Sequence, residues 1–154
     1  RIYKCNMMEV IQFYSVNDKY GDFSNFALYP IKINGKTWPT SEHYFQAQKF
    51  DVRSYQNKIQ KAHSPMKAAQ LGRSRKVKIK TNWEKIKDNV MYDAVFAKFS
   101  QHPELKTLLL ETKDAKLVEH TQNDAYWGDG GDGKGLNKLG KILMKVRENF
   151  RKTE

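Results

Sequence analysis

IKINGKTWPTSEHYFQAQKF, residues 31–50, holds the two signals that set the fold class. Residues 31–33 and 36–38 are short β-forming runs. Asn34-Gly35 between them suits a two-residue type I′ turn, whose central residues both need a positive φ. A hairpin is therefore predicted over 31–38. The period then changes. Thr40 or Ser41 suits an N-cap, and a helix read from Ser41 to Phe50 places Glu42, Gln46 and Lys49 on one narrow stripe, with Phe45 and Phe50 to either side. Amphipathic helices ordinarily bury an apolar stripe. A carboxylate, an amide and an ammonium between two aromatic rings is either a plain polar surface face or a site, and periodicity leaves both open.

Working outward, residues 9–14 (EVIQFY) read as a strand. Toward the C-terminus helical signals dominate. Ser64-Pro65 reads as an N-cap followed by an N1 proline, and Gly72 falls where a C′ glycine belongs. Thr81-Asn82-Trp83-Glu84 has capping-box spacing, ahead of a face carrying Trp83, Ile86, Val90, Ala94 and Ala97. Pro103 opens a helix with Leu105, Leu108 and Leu109. Residues 116–120 (KLVEH) suit a strand, and a last helix from about Leu136 aligns Leu139, Leu143, Val146 and Phe150. The expected class is α+β: a mainly helical single domain with a small, mainly antiparallel sheet. One domain is expected over 1–154, with its core at about 9–150.

Composition narrows the function classes. The chain has 28 Lys+Arg against 17 Asp+Glu, a net charge of 28 − 17 = +11. Such an excess favours an anionic partner, whether nucleic acid, nucleotide or sugar phosphate, although a lysine-rich soluble surface is the plainer account. No apolar run approaches the ~18 residues of a membrane span. The opening RIYKCNMMEV lacks the apolar core of a signal peptide. A single cysteine, Cys5, excludes a disulfide framework and a cysteine-based metal site, and an intracellular compartment is the default. His43, His63, His102 and His120 show no metal-ligand spacing and are read as non-catalytic.

WGDGGDGKGLNKLG, residues 127–140, matches two glycine-loop patterns on paper. The G-x-G-x-x-G reading needs a βαβ unit, and only one helix follows here. The G-x-x-x-x-G-K reading needs Ser or Thr next, where this chain has Gly135. A glycine loop running into a helix N-terminus remains, able to take an anion on its backbone N–H groups or simply to be a surface loop.

Several ordered motifs together resemble one family. Phe23-Ser24-Asn25-Phe26, Thr40-Ser41-Glu42-His43-Tyr44 with Gln46 and Lys49-Phe50, Gly72-Arg73 and Trp83 carry the first half. Glu119, Asp124, Trp127-Gly128, Gly133, Gly135, Asn137, Leu139-Gly140, Leu143-Met144 and Val146-Arg147 carry the second. Across residues 10–150 the chain resembles the NADAR (YbiA-like) family of N-glycosidases. It departs from that family at Asn82, where the family often has Asp, and in TKDAK (112–116), which lacks a glycine expected after the threonine.

The resemblance implies cleavage of a ribosyl C1–N bond without metal or other cofactor. The implied substrate is ADP-ribosylated guanine in DNA or RNA, or an early riboflavin-pathway ribosylaminopyrimidine phosphate. A non-catalytic module binding ADP-ribose or nucleic acid is the rival reading, and no membrane partner is expected. Breaking such a bond develops positive charge at the anomeric carbon. A carboxylate suits acid–base work there, and a desolvated lysine suits nucleophilic attack. Glu42 is thus the expected general acid/base and Lys49 the nucleophile or charge-stabilising group. Asp129 is expected to bind ribose hydroxyls or to activate water. Phe23, Asn25, Gln46, Arg73, Trp127, Gly128 and Asn137 are expected to bind substrate. Five of these also have a plainer account: core packing for Phe23 and Trp127, an Asx turn for Asn25, an exposed lysine-rich strand for Arg73, and helix capping for Asn137.

Overall fold

The computed structural model describes residues 8–153; Cys5 and most of the opening decapeptide lie outside them. The elements in order are β1 (Val10–Phe13), β2 (Ile31–Ile33), β3 (Lys36–Trp38), α1 (Ser41–Ala47), α2 (Arg53–Gln60), α3 (Pro65–Arg73), α4 (Trp83–Gln101), α5 (Pro103–Glu111), β4 (Lys116–Glu119) and α6 (Lys138–Lys152). The class is α+β. β2 and β3 form the antiparallel hairpin, with Asn34 at φ 53° and Gly35 at φ 79°, as a type I′ turn requires. A second two-stranded sheet pairs β1 with β4 in parallel, in register from Val10 with Lys116 to Phe13 with Glu119. Nothing local in either strand announces that pairing, because almost the whole chain lies between them.

Thr40 caps α1, accepting the His43 N–H at 3.1 Å, which frees the Ser41 hydroxyl to donate to Asn25 Oδ1 at 2.8 Å. Helix α1 ends at Ala47, three residues short of the span predicted from periodicity. Lys49 and Phe50 follow in a tighter turn, their N–H groups donating to the carbonyls of Gln46 and Ala47. The reason is tertiary: Phe50 is fully buried and bridges to Ile79, so the chain must leave the helix axis to reach it. Helix α2 carries no start signal of its own, since Val52 at its N-cap gives no side-chain bond. Ser64 caps α3 through Lys67 N–H at 3.0 Å, with Pro65 in the first turn.

Two local expectations change. Gly72 is not a C′ residue but sits inside the last turn of α3, where a Cβ would lie 1.9 Å from Gln46 Oε1. Close packing against α1, and not a left-handed backbone, requires glycine there. The Thr81–Glu84 capping box does not form; Asn82 takes the N-cap position of α4 without a side-chain bond.

Two apolar clusters make the core and meet at Val90 of α4. One joins β1, β4, α4, α5 and α6 around Phe13, Phe23, Phe99, Leu117 and Leu143. The other sets Trp38, Phe50 and Ile59 against Ala94 and Ala97. Burying each of these large side chains contributes ~1.5–3 kcal/mol. Together they hold α1 and the carboxyl ends of β1 and β4 around one hollow.

Candidate active site

That hollow is a pocket of about 690 Å³. Tyr14, Ser15 and Val16 line it from the end of β1, and Glu119 and Thr121 from the end of β4. Helix α1 and its exit turn add Glu42, Phe45, Gln46 and Lys49, while α3 adds Met66, Ala69 and Arg73. Ser24–Phe26, Met91 and the Asn123–Trp127 loop close it. The floor is buried: Glu42, Gln46 and Asn25 are each no more than 8% exposed. The mouth is apolar and basic, with Tyr14, Val16, Met66 and Arg73 exposed.

Glu42 and Lys49 share this floor, and burial acts on both. It raises the Glu42 carboxyl, with Asp124 adding to the effect, while the Gln46 hydrogen bond and the charges of Lys49 and Arg73 oppose it. Burial also lowers Lys49 to about 8, against the attraction of Glu42 and helped by Arg75, Arg73 and Lys87. At pH 7 roughly one Lys49 in ten is then a free amine, against fewer than about one in a thousand for an ordinary lysine. The amine lies over the Phe45 ring at 5.9 Å and donates to the Gly72 carbonyl at 3.5 Å. Gln46 Nε2 donates to Glu42 Oε1 at 2.7 Å, so this amide orients the carboxylate.

Of the expected site residues, Asn25, Glu42, Gln46, Lys49, Arg73 and Trp127 line the pocket. Asn25 is already braced, accepting from Ser41 and donating to Met91 Sδ at 3.2 Å. Trp127 stands edge-on to Phe45 at 5.3 Å and to Tyr126 at 4.8 Å. Phe23, Gly128, Asp129 and Asn137 do not line it. Phe23 is 1% exposed, packed edge-on against Phe13 at 5.7 Å. Gly128 is pressed on the carbonyls of Asp124 and Glu119, both within 3 Å of where a Cβ would be. The Asp129 carboxylate is consumed by the loop: Oδ1 accepts Thr121 and Gly131 N–H, and Oδ2 bonds His120 Nδ1 at 2.7 Å. Asn137, at φ 51°, does not cap α6 with its side chain. It accepts Glu119 N–H and donates to the Leu117 carbonyl, completing the free edge of β4. Glu119 and Asp124 enter the pocket without having been assigned a role from sequence; only the family resemblance had singled them out. Among the described residues no group of three or more His, Cys, Asp or Glu is arranged to hold a metal ion.

The NADAR domain model matches residues 12–151, nearly the whole chain. The chain belongs to the NADAR domain family. It is 62% identical over 141 residues to N-glycosidase YbiA of Escherichia coli (strain K12), covering 92% of this chain and 88% of that one. The NMR structure of the E. coli protein YbiA superposes with a TM-score of 0.87 at 60% identity, covering 93% of this chain and 85% of that one. A riboflavin biosynthesis protein of Vibrio vulnificus is 43% identical over 96% of this chain, which spans 40% of that protein. As a NADAR member at this identity to YbiA, the chain is an N-glycosidase, a hydrolase of N-glycosyl bonds.

Proposed function

We propose that this N-glycosidase removes ADP-ribose from ADP-ribosylated guanine in DNA or RNA, with Lys49 as nucleophile and Glu42 as general acid/base. The observation that carries the catalytic part is the burial of Lys49 and Glu42 in one pocket, which keeps part of the lysine as free amine beside a carboxyl group. The amine displaces the base from C1, Glu42 takes one of its protons, the other passes to the ring oxygen as the sugar opens to an imine, and water then releases the sugar. Two features support the larger substrate. The mouth carries exposed Tyr14, Val16 and Met66, which suit a flat or bulky group beyond the ribose. Exposed Arg73, Arg75 and Lys76 beside it suit phosphates.

A second reading, a ribosylaminopyrimidine phosphate as substrate, is favoured by the relative named as a riboflavin biosynthesis protein. The test is direct. The protein is incubated with an oligonucleotide bearing ADP-ribosylated guanine and, separately, with the aminopyrimidine, and released sugar is read by mass spectrometry. Release of ADP-ribose supports the first reading and ribose 5-phosphate the second. No product from either overturns both substrate readings. Lys49→Ala and Glu42→Gln should each lower turnover at least ~100-fold with the fold intact by circular dichroism. Full activity in either variant overturns its assigned role.

A further inference from the structure

Three carboxyl groups reach the pocket: Glu42 from α1, Glu119 from the end of β4, and Asp124 from the loop beyond it. Their surroundings differ. Glu42 accepts Gln46 and feels the positive charges of Lys49 and Arg73. Asp124 accepts the backbone N–H groups of Tyr126 at 2.9 Å and Trp127 at 2.8 Å. Glu119 has no comparable compensation. Its Oε2 is buried with no hydrogen-bond partner among the described residues, and its backbone N–H is held by Asn137, which fixes where the side chain starts. The charges of Asp124, Glu42 and Asp129 all repel an ionised Glu119. The neighbouring His120 is turned onto Asp129, and Tyr14, Lys49 and Arg73 share the pocket from β1, α1 and α3. Burial first, then these three carboxylates, hold the Glu119 proton up to about 7. Burial raises Glu42 as well, and Asp124 repels it, but Gln46, Lys49 and Arg73 all favour its ionised form, whereas every charge acting on Glu119 opposes ionisation; that difference in partners suits Glu42 to the base and Glu119 to the acid.

We propose that Glu119 is a further catalytic residue, the general acid that gives its carboxyl proton to the departing nitrogen of the base. This rests on the N-glycosidase chemistry proposed above. As the C1–N bond breaks, its electron pair goes to the base nitrogen, which takes the Glu119 proton and leaves as N–H. The Lys49 amine forms the new bond to C1 and passes a proton to Glu42. Water then hydrolyses the lysine-linked sugar: its hydroxyl goes to C1, its remaining proton returns to Glu119, and Lys49 leaves as an amine with the proton from Glu42. The sum is substrate plus water giving free base plus sugar. Without a proton donor the leaving nitrogen would depart as an anion, which is why the step needs an acid distinct from the base that serves Lys49.

The test is the pH dependence of kcat/KM in wild type, Glu119→Gln and Glu119→Asp, on whichever of the two substrates wild type cleaves. Wild type should give a bell. Rate rises as Lys49 loses its proton toward about 8 and falls as Glu119 loses its own above about 7, so the two demands overlap near pH 7–8. Glu119→Gln should lose ~100-fold near neutrality and keep no alkaline limb, its residual rate climbing to a plateau. Glu119→Asp should restore the limb with partial activity, and it serves as the decisive variant if the glutamine form does not fold. A Glu119→Gln enzyme within threefold of wild type, or one that is slow but keeps the limb, overturns the proposal. So does a Glu119→Asp enzyme with no alkaline limb. If wild type releases no sugar from either substrate, both proposed substrates fall and take this role with them. If Lys49→Ala is dead while Glu119→Gln is active, only Glu119 falls.

Discussion

Lys113 holds its backbone at φ 55°, a conformation that costs an L-residue ~1–2 kcal/mol. The other non-glycine residues there among the described ones are Asn34 and Asn137, whose type tolerates it. Lys113 occupies the position after Thr112 where the family resemblance leads one to expect glycine, so the departure falls on a strained residue outside the pocket. The turn survives because it is held from outside: the Arg151 guanidinium donates to the Lys113 carbonyl, and Arg147 donates to Thr112 Oγ1 and the Ala115 carbonyl at 2.8 and 2.9 Å. Lys113→Gly should relieve the strain, less the entropy glycine adds to the unfolded chain, and stabilise by ~0.5–1 kcal/mol. The midpoint of urea unfolding should rise with an unchanged slope, and activity should not move. A lower midpoint would show that the lysine is not strained.

At the scale of elements, the packing of α1 on α3 decides where the Glu42 carboxylate, the proposed acid/base, points. Gly72 lets the Gln46 amide lie against α3, and from there Gln46 holds Glu42. Gly72→Ala would put a methyl group on the amide, which has to swing away. Stability should fall by ~1–3 kcal/mol, and kcat/KM by ~10–100-fold as Glu42 loses its orientation. Thermal melting and steady-state kinetics read the two effects separately. Activity within twofold of wild type would mean that Glu42 needs no help from Gln46. On the other wall, fully buried Lys98 of α4 donates to the carbonyls of Asp22 and Ser24, tying down the segment that carries Asn25. Its burial lowers the amine to about 7, yet the charge pattern of the sequence does not separate it from the solvated lysines around it.

For the whole molecule, the +11 charge is a property of the surface, while every ionisable group proposed for the chemistry is wholly or partly buried. The two act on different quantities. With an oligonucleotide substrate each engaged phosphate adds ~0.7–0.9 to the steepness of log kcat/KM against log salt. A slope steeper than about −2 is expected for an ADP-ribosylated oligonucleotide, and a shallow one for the aminopyrimidine. A flat profile with the oligonucleotide would make the basic surface a matter of solubility.

The local code of this chain is legible wherever a few adjacent residues settle a backbone choice. The Asn34-Gly35 turn, the Thr40 and Ser64 caps, the proline starts of α3 and α5, and the apolar face of α6 all answer to neighbours within one or two turns. The Glu42–Gln46–Lys49 stripe was visible for the same reason, and the family motifs gave it a chemical meaning. Long-range contacts decided the rest. The parallel pairing of β1 with β4 brings Tyr14 and Glu119 to one pocket across most of the chain. The burial of Phe50 ends α1 early and leaves Lys49 in a turn. The glycine loop spends Asp129 on its own closure and Asn137 on the edge of β4. A proton affinity depends on what surrounds a group after folding: burial raises both Glu42 and Glu119, and only the tertiary structure sets Lys49 and Arg73 near the first and three carboxylates around the second.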